Sequence, residues 1–199
     1  MNYPKTIQSL IECFKKLPGI GEKTAERLSL YTLQLDDEIL NVFSENLTNV
    51  KTKIKHCIKC NHLTEDDYCD ICKDKTRDLT TICVVEDPKN IITLEKIGKY
   101  NGLYFVLNGL ISPLDGISPE DINLNQLIKR IKEENISELI LAVKPSIEGE
   151  TTTLYISRLL SGMNVKVTKI AHGIPMGAEM EYVDSMTLET ALDNRVIVS

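Results

Sequence analysis

The sequence predicts a chain of several parts in mixed α+β and α/β structure. Helices come first, then a small cysteine-rich segment, then a mainly parallel, covered sheet, and last a tail with helical and strand-like stretches. Three observations predict it. Apolar residues recur at helical spacing through the first third. Four cysteines crowd into residues 57–72. From residue 79 onward, short β-branched runs alternate with helical stretches.

Each element has its own justification. Ile7, Leu10, Ile11 and Phe14 share one helical face, and Pro18-Gly19 ends that helix. A second helix is expected from Glu22 to about Leu33, with Ala25, Leu28 and Leu33 among its apolar positions. Asp36 or Asp37 is placed to cap a third helix, whose Ile39, Leu40, Phe43 and Leu47 are expected to face inward. Residues 57–72 hold too few apolar side chains for a core, so this stretch needs a staple. TTICVVE, ending at Glu86, reads as a buried strand, and Asp87-Pro88 supplies an N-cap and a first-turn proline for a helix to about Ile97. GLYFVLN (102–108) is a second strand, and residues 109–120, with two Gly and two Pro, form a loop. Leu124, Leu127, Ile128 and Ile131 mark an amphipathic helix. ELILAV (138–143), a helix from Glu150 to Leu160, and NVKVTKI (164–170) complete the alternation, which implies right-handed βαβ units. After Gly173, Pro175 and Gly177, a helix is expected around Met186–Leu192, then a strand-like Val196-Ile197-Val198.

With 42% hydrophobic and 26% charged residues, the chain has the material for a real core. It contains no apolar run of roughly 18 residues or more, which argues against a membrane span, and MNYPKTIQSLIECFKK lacks the apolar stretch of a signal peptide. The expected location is the cytoplasm. A net charge of −6 argues at first against a nucleic-acid partner. The charge is unevenly spread, however. Residues 1–60 carry nine Lys/Arg against seven Asp/Glu, whereas residues 61–199 carry fourteen against twenty-two. Any contact with nucleic acid must use locally placed groups, or several subunits together.

Cys57-x2-Cys60 and Cys69-x2-Cys72 stand eight residues apart. Two such knuckles turn four thiolates toward one point, the donor set of a closed, structural Zn²⁺ site with no position left for a reacting water. An iron–sulfur cluster needs the same four residues. His56 and His62 lie beside the site, either as substitute ligands or as solvated loop side chains. Cys13, on a helical face, and Cys83, in a strand, read as small core residues.

Leu17-Pro18-Gly19-Ile20-Gly21 lies between two expected helices. Its glycines allow a tight turn and leave backbone amides uncovered at the start of the second helix, a setting that favours phosphate. Ile20 is placed to pin the helices together. Lys23 and Arg27, four residues apart, share the helical face beside the turn and are placed to reach the next phosphate. Gly19, Ile20, Gly21, Lys23 and Arg27 are thus the candidate DNA contacts, and they predict sequence-independent binding. A plain αα-hairpin with packing glycines is the alternative. Lys51, Lys53, Lys55 and Lys59 form a second basic patch, and 51, 55 and 59 would share a face were the third helix to run that far. Base stacking has little support in a chain with no Trp and 5% aromatic residues.

Glu86 falls at the carboxyl end of a strand, where α/β folds usually bind ligands, and Lys144-Pro145-Ser146-Ile147-Glu148-Gly149-Glu150 follows a later one. No P-loop and no GxSxG elbow occurs. His172 has no evident nucleophile partner and reads as structural or interfacial.

LPGIG with its flanks resembles the helix-hairpin-helix motif of DNA repair and replication proteins. The α/β region resembles the Toprim domain of topoisomerases, primases and related nucleases. Catalytic members of that group use a strand-end glutamate, an Asp-x-Asp pair and a Glu-Gly pair to hold Mg²⁺. Here Glu86, Glu148, Gly149 and Glu150 fit the pattern, but Lys144 and Ser146 occupy the two aspartate places. That departure argues against Mg²⁺-dependent catalysis and leaves the role of the three glutamates open.

The order of parts, with LPGIG, CxxC-x8-CxxC, ICVVED, ISPLDGISPEDI, IEGE and HGIPMG, resembles the RecR family of bacterial recombination mediators over the whole chain. The resemblance implies a helix-hairpin-helix region at 1–55, a four-cysteine zinc finger at 56–76, a Toprim domain at 79–175 and an oligomerisation tail at 176–199. It also implies a non-enzymatic DNA-binding protein that works with RecO and RecF at gapped, single- or double-stranded DNA and helps load RecA. Self-association into a dimer or tetramer, joined into a ring, is implied too. Three classes of function follow: a DNA-binding mediator, a Mg²⁺-dependent Toprim nuclease or topoisomerase-like enzyme, and a protein–protein adaptor.

Overall fold

The computed structural model describes residues 3–197 and divides into two compact units, Met1–Ile54 and Lys55–Ser199. The expected terminal strand is not formed at Val196 and Ile197, and Val198 lies outside the described residues. Among the described residues no helix is long and apolar enough to cross a membrane.

The first unit holds α1 (Lys5–Lys15), α2 (Glu22–Tyr31), a single 3₁₀ turn (Thr32–Gln34) and α3 (Asp37–Lys53). The α1 face read from the sequence is the one that turns inward: Ile11 is buried, and Ile7, Leu10 and Phe14 are half-buried. Ala25 and Ser29 of α2 are buried one turn apart, and the Ser29 hydroxyl donates to the Ala25 carbonyl at 2.8 Å. That bond satisfies a polar group that burial would otherwise penalise. Three expectations need correction here. Leu33 is exposed, because the chain tightens to 3₁₀ after Tyr31. Cys13 is exposed, being rotated away from the Ile7–Phe14 face. In α3, Ile39, Phe43 and Leu47 are exposed, Leu47 by 59%, and only Leu40 of the expected four is partly covered. The helical period of α3 is as read, but no described residue of this unit covers its apolar side. The helix also ends at Lys53, with Ile54 in extended conformation, so Lys51, Lys55 and Lys59 share no helical face.

The second unit begins with a small antiparallel pair, β1 (Lys55–His56) and β2 (Leu63–Thr64), and the short α4 (Asp70–Lys73). The sheet follows: β3 (Asp78–Val85), α5 (Pro88–Ile97), β4 (Gly102–Val106), a 3₁₀ turn (Pro113–Asp115), α6 (Leu124–Glu133), β5 (Glu138–Leu141), α7 (Ile147–Leu159) and β6 (Lys166–Lys169). A 3₁₀ turn (Met180–Tyr182) and α8 (Ser185–Asp193) form the tail. The four sheet strands are all parallel, in the order β4-β3-β5-β6.

Alternation along the strands divides the core between two faces. Ile82, Val84, Leu103, Phe105, Leu139 and Leu141 pack on one side with Leu127 and Ile131 of α6 and Ile156 of α7. Cys83, Val85, Tyr104 and Val106 pack on the other with Ile91 of α5. Burial pushes the Cys83 thiol up to about 12, so it behaves as a small apolar residue. Asp87 caps α5 in a reciprocal box with Asn90, Pro88 fills the first turn, and Gly98 closes the helix in the left-handed region.

α7 starts three residues earlier than the sequence predicts. The Ser146 hydroxyl accepts from the Gly149 amide at 3.2 Å and caps the helix, which draws Glu148, Gly149 and Glu150 into its first turn. The turn is so tight that a Cβ on Gly149 would lie 2.0 Å from the Lys144 carbonyl oxygen. Both atoms are held by backbone. Gly149→Ala is therefore expected to cost at least the roughly 3 kcal/mol upper end of ordinary overpacking, read as a lowered denaturation midpoint.

Candidate metal centre and nucleic-acid interface

The four cysteines come together as their spacing implies. Cys57 and Cys60 lie on the turn that follows β1. There the Cys57 amide donates to the His62 carbonyl at 2.7 Å, and the Asn61 amide returns to the Cys57 carbonyl at 2.9 Å. Asn61 takes the left-handed conformation that closes the knuckle. Cys69 caps α4 and Cys72 lies within it. All four sulfurs lie within 4.8 Å of one another, three of the residues buried and Cys72 partly so. Hydrogen bonding among the sulfurs splits the set: it pulls the Cys57 thiol down, Cys60 first, and pushes the Cys60 and Cys72 thiols up, Cys57 first. Four sulfurs at this spacing resist joint ionisation unless a cation sits among them, and a soft-ligand dication of tetrahedral habit fits. The nearby histidines do other work. His56 donates from Nδ1 to the Asn61 carbonyl at 2.9 Å, and His62, half-buried, has its pKa lowered by desolvation.

This loop lies along the free edge of β4. The Val106 amide donates to the Cys60 carbonyl at 2.9 Å. Gln126 of α6 donates to the Ile58 carbonyl at 2.6 Å and accepts from the Asn61 side chain at 2.9 Å. Arg130, 5% exposed, donates to the Tyr104 carbonyl at 3.0 Å and the Lys59 carbonyl at 3.4 Å, and meets Glu134 at 3.2 Å. Lys59 meets the same Glu134 at 3.1 Å. Its Nε and Nη1 are thus partnered, which offsets part of the cost of burying a guanidinium, while Nη2 is buried without a partner among the described residues. No sequence pattern marked Asn61, Gln126 or Arg130, because their partners are backbone groups brought close by folding.

In the first unit the LPGIG turn has Gly19 at φ 81°, a region that favours glycine, and the Ile20 amide returns to the Leu17 carbonyl at 3.2 Å. Ile20 is half-buried between the helices it joins. Gly21 is the N-cap of α2, in extended conformation, and no described side chain caps that end. The first-turn amides are thus left for an outside acceptor. Glu22, the one carboxylate in the first turn, would repel an anion; Lys15 pairs with it at 2.6 Å, a cation it shares with Glu12 at 2.9 Å, and this lessens the repulsion. Lys23 and Arg27 are both exposed, and among the described residues neither forms a salt bridge. They share a hollow with Tyr3 and Tyr31. The aromatic neighbours escaped the compositional reading, although Lys23, Arg27 and Tyr31 form one i, i+4, i+8 row.

The three glutamates of the α/β part separate. Glu86, at the end of β3, and Glu148 line one cleft together with Asp87, Asp115 and Lys144. The Ser146 hydroxyl donates to Glu148 at 2.6 Å and holds its carboxyl below the usual range. Glu150 instead pairs with Lys169 at 2.9 Å. Among the described residues the four cysteines are the sole group of three or more His, Cys, Asp or Glu whose ligand atoms converge within 4.8 Å.

Two outcomes are expected of the metal centre. Elemental analysis should find one zinc per chain, and Cys72→Ser should lower that ratio and the thermal midpoint together. Arg130→Met leaves the Tyr104 and Lys59 carbonyls without this donor and Glu134 with Lys59 alone. It should cost about 1–3 kcal/mol by denaturation and speed zinc transfer to a chromogenic chelator.

Comparison with known proteins agrees part by part. Residues 7–51 match the model of the RecR helix-hairpin-helix, 54–74 that of the RecR four-cysteine zinc finger domain, 80–171 the Toprim domain and 173–196 the RecR C-terminal region. The zinc finger match and the converging sulfurs together assign the centre to one structural Zn²⁺. Recombination protein RecR of Staphylococcus aureus strains Mu3, Newman and JH9 is 50% identical to the chain over 195 residues, covering 98% of each sequence. At that identity over the full length, the chain belongs to the RecR family of recombination proteins.

Proposed function

We propose that this chain is a DNA-binding mediator of recombinational repair that grips sugar-phosphate through the LPGIG hairpin and breaks no bond. The observation that carries the reading is the uncapped N-terminus of α2, with Lys23 and Arg27 beside it, unpaired among the described residues, and Glu22 paired with Lys15. Gly19 and Gly21 let the backbone approach the strand, Ile20 fixes the turn, and the two cations hold the adjoining phosphate. None of these groups reads a base edge, so binding is independent of sequence. In this reading residues 1–55 bind DNA, 56–76 form the zinc finger, 79–175 the Toprim domain, and 176–199 join subunits. The exposed Met176, Tyr182 and Ile197 of the tail suit that last role. Rings of a few chains would place several hairpins around one DNA and offset the acidic balance of each chain. The mediator works in the cytoplasm on gapped DNA, with RecO and RecF as partners, and helps load RecA. The second reading, a Mg²⁺-dependent enzyme, is disfavoured by the parting of Glu150 from Glu86 and Glu148 and by Lys144 in their cleft.

Fluorescence anisotropy across a salt series tests the hairpin. Wild-type binding should weaken steeply with salt on any sequence. Lys23→Ala/Arg27→Ala should weaken it further and flatten the slope of log K against log salt by roughly 2 per chain. Equal affinity and slope in the double variant would remove the hairpin from the interface.

A further inference from the structure

Beside Lys23 and Arg27 lies a hollow of about 400 Å³, within the roughly 300–1,000 Å³ range of small-ligand sites. Tyr3, Leu30 and Tyr31 line it along with the two cations and Glu26. Tyr31 is 57% and Tyr3 39% exposed, so both rings are open to solvent. Lys23, Arg27 and Tyr31 follow one another at four-residue intervals on α2, about 6 Å apart along its axis. An aromatic surface directly continuing a pair of cations has the make-up of a nucleotide subsite: cations for phosphate, rings for a base. The bases of an intact duplex are stacked inside it and cannot reach such a ring, whereas an unpaired base can.

We propose that Tyr31, with Tyr3 beside it, is a stacking platform for one unpaired nucleotide, so that the hairpin prefers single-strand-bearing DNA to duplex. This rests on the hairpin reading above and adds to it a base-contacting residue through which the hairpin would tell an unpaired strand from a duplex. The preference is for strandedness, since every base offers a π-face, and not for sequence. Glu26 in the same hollow is outnumbered by the two cations.

The test uses the full-length zinc-loaded protein and two DNAs of one sequence, an intact duplex and a gapped duplex carrying 2-aminopurine in the gap. Affinity is read by anisotropy, stacking by 2-aminopurine fluorescence, and folding by thermal melting. Tyr31→Leu should weaken gapped-DNA binding about tenfold, within the range for one base–aromatic stack, and abolish the fluorescence change. Duplex affinity and melting should stay as in wild type, and Tyr31→Phe should behave as wild type throughout. An unchanged signal and affinity for gapped DNA in Tyr31→Leu would overturn the platform. So would an equal loss on both DNAs, or a changed sedimentation coefficient showing that another chain covers Tyr31. In each of those cases Lys23→Ala/Arg27→Ala still reports separately on the hairpin. Loss of binding to both DNAs keeps the phosphate grip while the platform falls, and full binding removes the grip itself.

Discussion

Four sulfurs around one dication are the constraint on which the second unit depends. The segment that bears them has almost no apolar interior of its own, and its order comes from the metal. That order is then passed on. The knuckle carbonyls of Ile58, Lys59 and Cys60 are fixed in place by coordination of the neighbouring thiolates, and these are the groups that Gln126, Arg130 and the Val106 amide engage. The zinc finger is thus the border of the sheet, closing the side of β4 that no described strand pairs.

Much of this was legible in the sequence, for identifiable reasons. Strand–helix alternation, the Asp87-Pro88 start and the paired CxxC motifs are local signals, each with a physical cause within a few residues. The face of α1 was legible for the same reason. Burial of α3 was not, because periodicity says which side of a helix is apolar and leaves open whether anything lies against it. Ile39, Phe43 and Leu47 obey the period and still face solvent. Cys13 fails in the same way: a cysteine is small enough for a core, but its angular position on the helix decides.

The site was legible in proportion to how sequential it is. The cysteine ligands and the hairpin cations lie within a few residues of each other, and their geometry follows from spacing. The glutamates of the α/β part come from distant loops. Sequence could group Glu148 with Glu150, but folding sends one toward Glu86 and the other to Lys169. Composition could not place the aromatics: a low total says nothing of where the few lie, and Tyr31 lies one helical turn beyond Arg27.

The position of the cysteine loop along the chain has a consequence for biosynthesis. Residues 57–72 leave the ribosome before β4 (102–106), and α6, which supplies Gln126 and Arg130, follows later still. A nascent chain that captures its ion promptly offers β4 a finished neighbour as soon as that strand pairs with β3. A chain starved of metal completes its sheet with one flank bare. Metal availability while the chain is being made therefore bears on whether that flank is covered when the sheet closes.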